Sequence, residues 1–231
     1  MKNLAIIPAR GGSKRIPHKN IKEFLGKPII SYSIKAAQKS GLFDEIMVST
    51  DDNKIAEIAK QYGAKVPFIR SLKNSDDFST LADVAIEVYS KYEDEGEKYD
   101  NICCILSTAP FITSMMINEA YNKFISEDYN SVCPVVAFSY PVLRALEFDN
   151  ERKLRMINPE YTNSRSQDLK PAYHDSGLFY WVKAKALKKE KTFFCKNGSA
   201  IILPETEVQD IDTETDWRLA EIKYNFLHEK V

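Results

Sequence analysis

The stretch Leu4-Ala5-Ile6-Ile7-Pro8, running without a break into Ala9-Arg10-Gly11-Gly12-Ser13-Lys14-Arg15-Ile16-Pro17-His18-Lys19-Asn20, decides how this chain is read. Its first part is a short apolar run, a strand that ends at Pro8. Its second part is a turn in which a glycine pair is flanked by Arg10, Lys14, Arg15 and Lys19. Glycines let backbone N–H groups approach anionic oxygens, and arginine and lysine neutralise a polyphosphate. A solvated basic loop is the plainer reading of such a turn taken alone. Its position directly after the first strand favours a phosphate site. The spacing matches neither GxxxxGK[ST] nor GxGxxG, so neither a P-loop nor a dinucleotide fingerprint is indicated.

Outward from this loop, short apolar runs alternate with amphipathic stretches. Residues 46–48, 102–106 and 132–136 read as strands, and 29–37, 55–62, 84–92 and 117–124 carry apolar residues at helical spacing. Strand and helix in turn predict an α/β fold: a mainly parallel central sheet flanked by helices, with ligands at the loops leaving the strands' C-terminal ends. One domain over 1–231 is expected. The pattern loosens over about 138–172, which predicts an insertion serving as a lid or a dimer contact. Residues 178–182 and 200–203 read as further strands. A last helix is expected over 213–227, with Thr213 as N-cap and Glu214 and Asp216 in its first turn.

Composition narrows the function classes. A formal net charge of -1 argues against nucleic acid or an anionic membrane as the main partner, so any anion site is local. No apolar run is long enough for a signal peptide or a bilayer span, and a cytoplasmic protein is expected. The four cysteines, at 103, 104, 133 and 195, show no zinc spacing or disulfide framework and read as buried thiols.

A second acidic motif complements the basic loop. In Asp210-Ile211-Asp212 the two carboxylates of an extended segment fall on one side, and two hard oxygen ligands suit Mg²⁺, which keeps several waters and bridges to phosphate. Alone, Asp-x-Asp reads as a loop end or a helix cap. Beside a polyphosphate loop it reads as a metal pair.

Taken together, residues 8–15 with Lys19-Asn20, Gly26-Lys27-Pro28, Ser49-Thr50-Asp51, Thr108-Ala109-Pro110 and the segment 208–213 resemble the sugar-acid cytidylyltransferases, relatives of the CMP-sialic acid synthetases. The resemblance runs along nearly the whole chain. It implies a fold of the nucleotide-diphospho-sugar transferase type, a homodimer, Mg²⁺ dependence, and transfer of CMP from CTP to a nine-carbon sugar acid with release of pyrophosphate. It also implies roles. Arg10, Ser13 and Lys19 would hold the triphosphate, with Ala9, Gly11, Lys14 and Asn20 beside them. Asp76, Ser79 and Thr80 would contact the nucleoside, and Thr108 and Pro110 would form the nucleotide-side turn. Asp210 and Asp212 would bind metal and, with Arg10 and Lys19, serve catalysis. Arg165 and Gln167 would face the sugar acid, as would Asp175, Ser176 and Gly177.

Within that family, residues 164–169 and 172–181 resemble the pseudaminic acid enzymes more than the N-acetylneuraminic ones, with Tyr173, Phe179 and Tyr180 as apolar surroundings for a more deoxygenated sugar; N-acetylneuraminic and legionaminic acids are the alternative substrates. The reaction needs no side-chain nucleophile, because the sugar's anomeric hydroxyl attacks the α-phosphorus. No general base is assigned; His18 and His174 are candidates by residue type alone. Two other classes compete. A glycosyltransferase shares Asp-x-Asp and a nucleotide-binding sheet but has no need of so many phosphate cations. A nucleotide-sensing module would leave the acidic pair without purpose.

Overall fold

The computed structural model describes residues 1–228, so the last positions of the expected 1–231 domain, 229–231, lie outside the described residues. In chain order the elements are β1 (Asn3–Pro8), β2 (Glu23–Phe24), β3 (Lys27–Pro28), α1 (Ile30–Ser40), β4 (Glu45–Ser49), α2 (Asn53–Gln61), α3 (Leu81–Asp94), β5 (Asn101–Ile105), α4 (Ser114–Ser126), β6 (Ser131–Ala137), β7 (Leu146–Phe148), β8 (Leu154–Met156), β9 (Tyr173–Asp175), β10 (Phe179–Lys183), α5 (Ala184–Glu190), β11 (Gly198–Ile202) and α6 (Glu214–His228).

Strand β1 is central because its side chains are apolar in both directions. Leu4, Ala5, Ile6 and Ile7 are all fully buried, each large one worth roughly 1.5–3 kcal/mol of transfer free energy. Ala5 and Ile7 pack with α1, α2, α4 and α6 on one face, whereas Leu4 and Ile6 pack with α3 and α5 on the other. Cys103 and Cys104 divide between the same two clusters, as alternation along β5 requires. Burial pushes the Cys104 thiol up to about 12, so it stays protonated and inert.

The sheet order is β11-β6-β10-β5-β1-β4, with β9 on β6. Parallel pairing joins β4, β1 and β5, and separately β6 and β11; β10 runs antiparallel to both β5 and β6. The expectation of a mainly parallel sheet holds for these two blocks and fails at the strand between them. The reason is the route of the chain. It reaches β10 through β9, which pairs antiparallel with β6, instead of through a helical crossover, so it enters from the opposite end. Between β9 and β10 the chain bulges at 176–178, where Gly177 has a φ of +65° that favours glycine.

The excursion expected over 138–172 holds the small β7–β8 hairpin and short helical turns, and projects Leu146, Phe148 and Leu154 into solvent. Helix α5, which the apolar pattern did not suggest, is short and lysine-rich.

Candidate active site

The direction of connection reverses at β1, since β4 lies on one side of it and the next sheet strand, β5, on the other. In an open α/β sheet the crevice at such a point, beyond the C-terminal strand ends, is where ligands sit. Here the loops after β1 and β5, together with the segment from Arg70 to α3, line a cleft of about 300 Å³. Arg10, Ser13, Lys14, Arg15, Lys19, Asn20, Asp76, Ser79, Thr80, Thr108 and Asp212 all border it, bringing most of the expected nucleotide-side residues together.

Buried polar bonds fix the basic loop. Asn20 is buried; its Nδ2 donates to the Arg10 carbonyl at 2.8 Å and its Oδ1 accepts from Ser107 Oγ at 2.9 Å, tying the loop to the end of β5. Two expected backbone contacts are otherwise engaged. The Ala9 N–H donates to the Ser49 carbonyl at 2.9 Å, which commits it to the sheet, and the Gly11 N–H donates to Asp51 Oδ1 at 2.8 Å. Gly11 has its own steric reason: a Cβ there would stand 2.8 Å from Asp52 Oδ2, the carboxylate side chain that caps α2. Gly12 has open space around it.

The acidic motif meets this loop across the cleft. Lys19 Nζ donates to the Ile211 carbonyl at 2.6 Å, and Asp212 Oδ1 pairs with Arg15 at 2.9 Å and Lys19 at 3.5 Å. Asp212 is set in place by the start of α6, where the N–H groups of Asp212 and Thr213 both donate to Asp216 Oδ2 and the Thr213 hydroxyl accepts from the Asp216 N–H. This is the expected N-cap at Thr213, in the form of a reciprocal capping pair. Asp210 is solvent-accessible, yet crowding by protein atoms raises its carboxyl pKa; the Asp212 charge raises it further and Lys19 opposes both. Two like charges held together in this way suit a divalent cation. Among the described residues no group of three acidic, histidine or cysteine side chains gathers to bind one, so substrate oxygens and water would complete the shell.

Arg70 and Asp77, which border the cleft, and Glu87, which anchors the segment between them, are not singled out by the sequence. Arg70 is buried; its guanidinium donates to Ser49 through Nε at 3.0 Å and through Nη2 to the carbonyl, and burial lowers its pKa against the pull of Asp51 and Glu87. Glu87 receives bonds from Ser71, Asn74 and Lys91, which outweigh the effect of burial and bring its carboxyl down to about 2. Asp77 pairs with Arg10 and Lys14. A lone arginine after Val66-Pro67-Phe68-Ile69 was the available signal for Arg70; no spacing rule marks the others.

The sugar-side expectations divide. Ser176 is buried, and a Cβ on Gly177 would lie 3.7 Å from the Asp210 carboxylate, so the bulge borders the acidic pair. Tyr180 is a core residue instead of a pocket wall: it is buried among Cys104, Cys133 and Phe193, and its hydroxyl donates to Asp175. Arg165 is exposed and pairs with Asp168 at 2.8 Å; neither it nor Gln167 lines the cleft, because both sit on the outward excursion. Tyr173 is exposed on β9. Pro110 lines a separate hollow at the start of α4 and not the cleft. Neither candidate base borders the cleft: His174 packs edge-on against Phe138, and His18 takes a left-handed turn position.

A switch-point cleft bordered by a cation-bearing turn and by Asp212 is the arrangement an α/β nucleotidyltransferase needs. A family model described as cytidylyltransferase matches residues 4–217. The chain is 44% identical over 229 residues to the pseudaminic acid cytidylyltransferase of Campylobacter jejuni, covering 99% of both chains. It is 34% identical to the CMP-N,N'-diacetyllegionaminic acid synthase of Legionella pneumophila, over 96% of this chain and 95% of that one. Among solved structures, CMP:2-keto-3-deoxy-manno-octonic acid synthetase complexed with CTP superposes with a TM-score of 0.69 over 100% of both chains at 17% identity, a likeness of fold. The chain belongs to the cytidylyltransferase family.

Proposed function

We propose that this enzyme transfers CMP from CTP to the anomeric hydroxyl of pseudaminic acid, giving CMP-pseudaminic acid and pyrophosphate. The observation that carries the reading is the gathering of Arg10, Lys14, Arg15 and Lys19 around one cleft, where Arg15 and Lys19 meet Asp212, in a chain whose relative of 44% identity is named for that sugar acid. The anomeric oxygen forms a bond to the α-phosphorus, the α–β bridging bond breaks, and pyrophosphate leaves with the electron pair while the hydroxyl proton passes to solvent. Arg10, Lys14 and Lys19 neutralise the phosphates, with Arg10 offering a planar fork. Ser79, Thr80 and Arg70 border the same cleft on its α3 side, where the nucleoside is received. Asp210 and Asp212 fit Mg²⁺, which when bound offsets charge on the phosphoryl oxygens.

The sugar acid is received beside the Ser176–Gly177 bulge, next to Asp210. Its carboxylate is met by Arg165 once the 138–172 excursion closes or associates. Exposed Leu146, Phe148 and Leu154 on that excursion support a homodimer. Among the described residues no helix is long and apolar enough to cross a membrane.

The test is pyrophosphate release from CTP with pseudaminic, legionaminic and N-acetylneuraminic acids side by side. Fastest release with pseudaminic acid supports the reading. Preference for another acid removes the sugar assignment and leaves the reaction class. Consumption of a CMP-sugar without pyrophosphate release sinks both.

A further inference from the structure

Four cations of the basic loop border the cleft, and each is engaged by a carboxylate of its own chain. Arg15 and Lys19 meet Asp212, whose place in the acidic pair gives it a task. Arg10 Nη1 meets Asp77 Oδ1 at 2.7 Å and also donates to the Asp76 carbonyl at 2.7 Å, while Lys14 Nζ meets Asp77 Oδ2 at 2.5 Å; Asp77 itself has no part in the acidic pair. It lies in a turn that does not depend on it. Asp76 Oδ1 accepts from the N–H groups of Phe78 and Ser79 and from the Ser79 hydroxyl, at 3.0, 2.8 and 2.7 Å. Thr80 then closes the turn in a reciprocal capping pair with Asp83 at the start of α3. Among the described residues the Asp77 carboxylate bonds to Arg10 and Lys14 and to no backbone group. One carboxylate thus spans two cations, as a pair of phosphate oxygens would.

Magnitude decides whether this contact is a brace or a placeholder. The side chains of Arg10, Asp77 and Lys14 are 35%, 41% and 79% exposed. Ion pairs this wet shift an equilibrium by about fivefold at most. That is too little to lock two flexible cations in one geometry, and little enough for a multiply charged polyphosphate to displace. A carboxylate returning to the same cations favours departure of whatever anion held them.

We propose that Asp77 is an exchangeable internal counter-ion, a carboxylate that competes with the polyphosphate for Arg10 and Lys14 and hastens loss of pyrophosphate. The inference rests on the reading of the cleft as a CTP site. It assigns Asp77 a share in the rate of product departure, at a small cost in affinity for CTP.

The experiment is calorimetric titration of Mg-pyrophosphate and of CTP into the wild-type protein, Asp77→Asn and Asp77→Glu, with Asp94→Asn as a charge-matched control at the far end of α3. Asp77→Asn binds pyrophosphate about 3- to 5-fold more tightly, and its inhibition by pyrophosphate sharpens by the same factor. Asp77→Glu keeps the wild-type affinity. Asp94→Asn leaves it unchanged, separating contact from net charge. The gain from Asp77→Asn shrinks in 1 M salt. Unchanged or weaker pyrophosphate binding by Asp77→Asn, with CTP still bound by wild type, makes Asp77 a brace for the cations and overturns this inference alone. Failure of the wild-type protein to bind either ligand overturns the parent reading with it.

Discussion

The two halves of this enzyme are finished to different degrees. Around β4, β1 and β5 the strands are parallel and buried, and the loops leaving them converge on one cleft whose cations already meet partners. Around β6, β9 and β10 the pairing is antiparallel, a bulge interrupts it, and Arg165, Gln167 and Tyr173 face outward on or beside an excursion with exposed apolar side chains. Recognition of a triphosphate is a matter of charge, and on the proposed reading the switch point supplies it. Recognition of one sugar acid among close relatives is a matter of shape, and the proposed reading assigns it to the part of the chain that the fold leaves open.

That contrast can be broken in order of expected effect. Asp212→Ala removes a proposed metal ligand and the partner of Arg15 and Lys19 together, so kcat/KM for CTP falls by about 100- to 1000-fold in a pyrophosphate-release assay, the size of losing a preorganised electrostatic group. A loss under tenfold would mean that the nucleotide half does not depend on this meeting point. Arg165→Ala raises KM for the sugar acid by roughly 10-fold or more, the value of a charged hydrogen bond, with KM for CTP unchanged. If both constants move together, or neither does, Arg165 is no more than the partner of Asp168.

Smaller effects test what holds the cleft. Glu87 anchors Ser71 and Asn74 on the segment leading to Asp76, and Glu87→Gln is expected to cost about 1–2 kcal/mol, a drop of roughly 2–8 °C in Tm. Its folded-state pKa is depressed to about 2, below the unfolded value of about 4.3. The stabilisation is therefore present above pH 4.3 and lost as pH falls towards 2. Unfolding curves of the two proteins should converge over that interval; a constant gap would remove ionisation from the account. Smallest in stability, Phe148→Ser changes unfolding free energy by under about 0.5 kcal/mol, because the ring is already 71% exposed. In sedimentation velocity it shifts the protein towards monomer, with a rise in KM confined to the sugar acid. Unaltered sedimentation would take the hairpin out of any self-association.

What sequence made legible follows the same division. Leu4 to Ile7 announce a buried strand because every side chain in the run is apolar, and the basic turn after it could be placed at the cleft from chain order alone. The Thr213 cap is legible from the residue types at a helix start, and the four cysteines that read as buried thiols are buried. The direction of β10 was hidden, because strand periodicity is the same in both senses and only the route through β9 sets it. Tyr180 read as a pocket residue because alternation does not say which face of a strand is core when both are. Arg70 and Asp77 escaped because their partners lie 21 and more than 60 residues away, and no local spacing encodes such contacts.

The bond from Lys19 to the Ile211 carbonyl joins groups 192 residues apart, and Lys22 reaches Glu214 over the same separation. In chain order β1, β4 and β5 all come well before the acidic pair, Asp210 and Asp212. Loop closure over such a span is entropically slow to be rewarded. On the proposed reading the cleft is complete only once α6 has docked, and a chain truncated shortly before Asp210 is expected to carry the phosphate cations and perform no transfer.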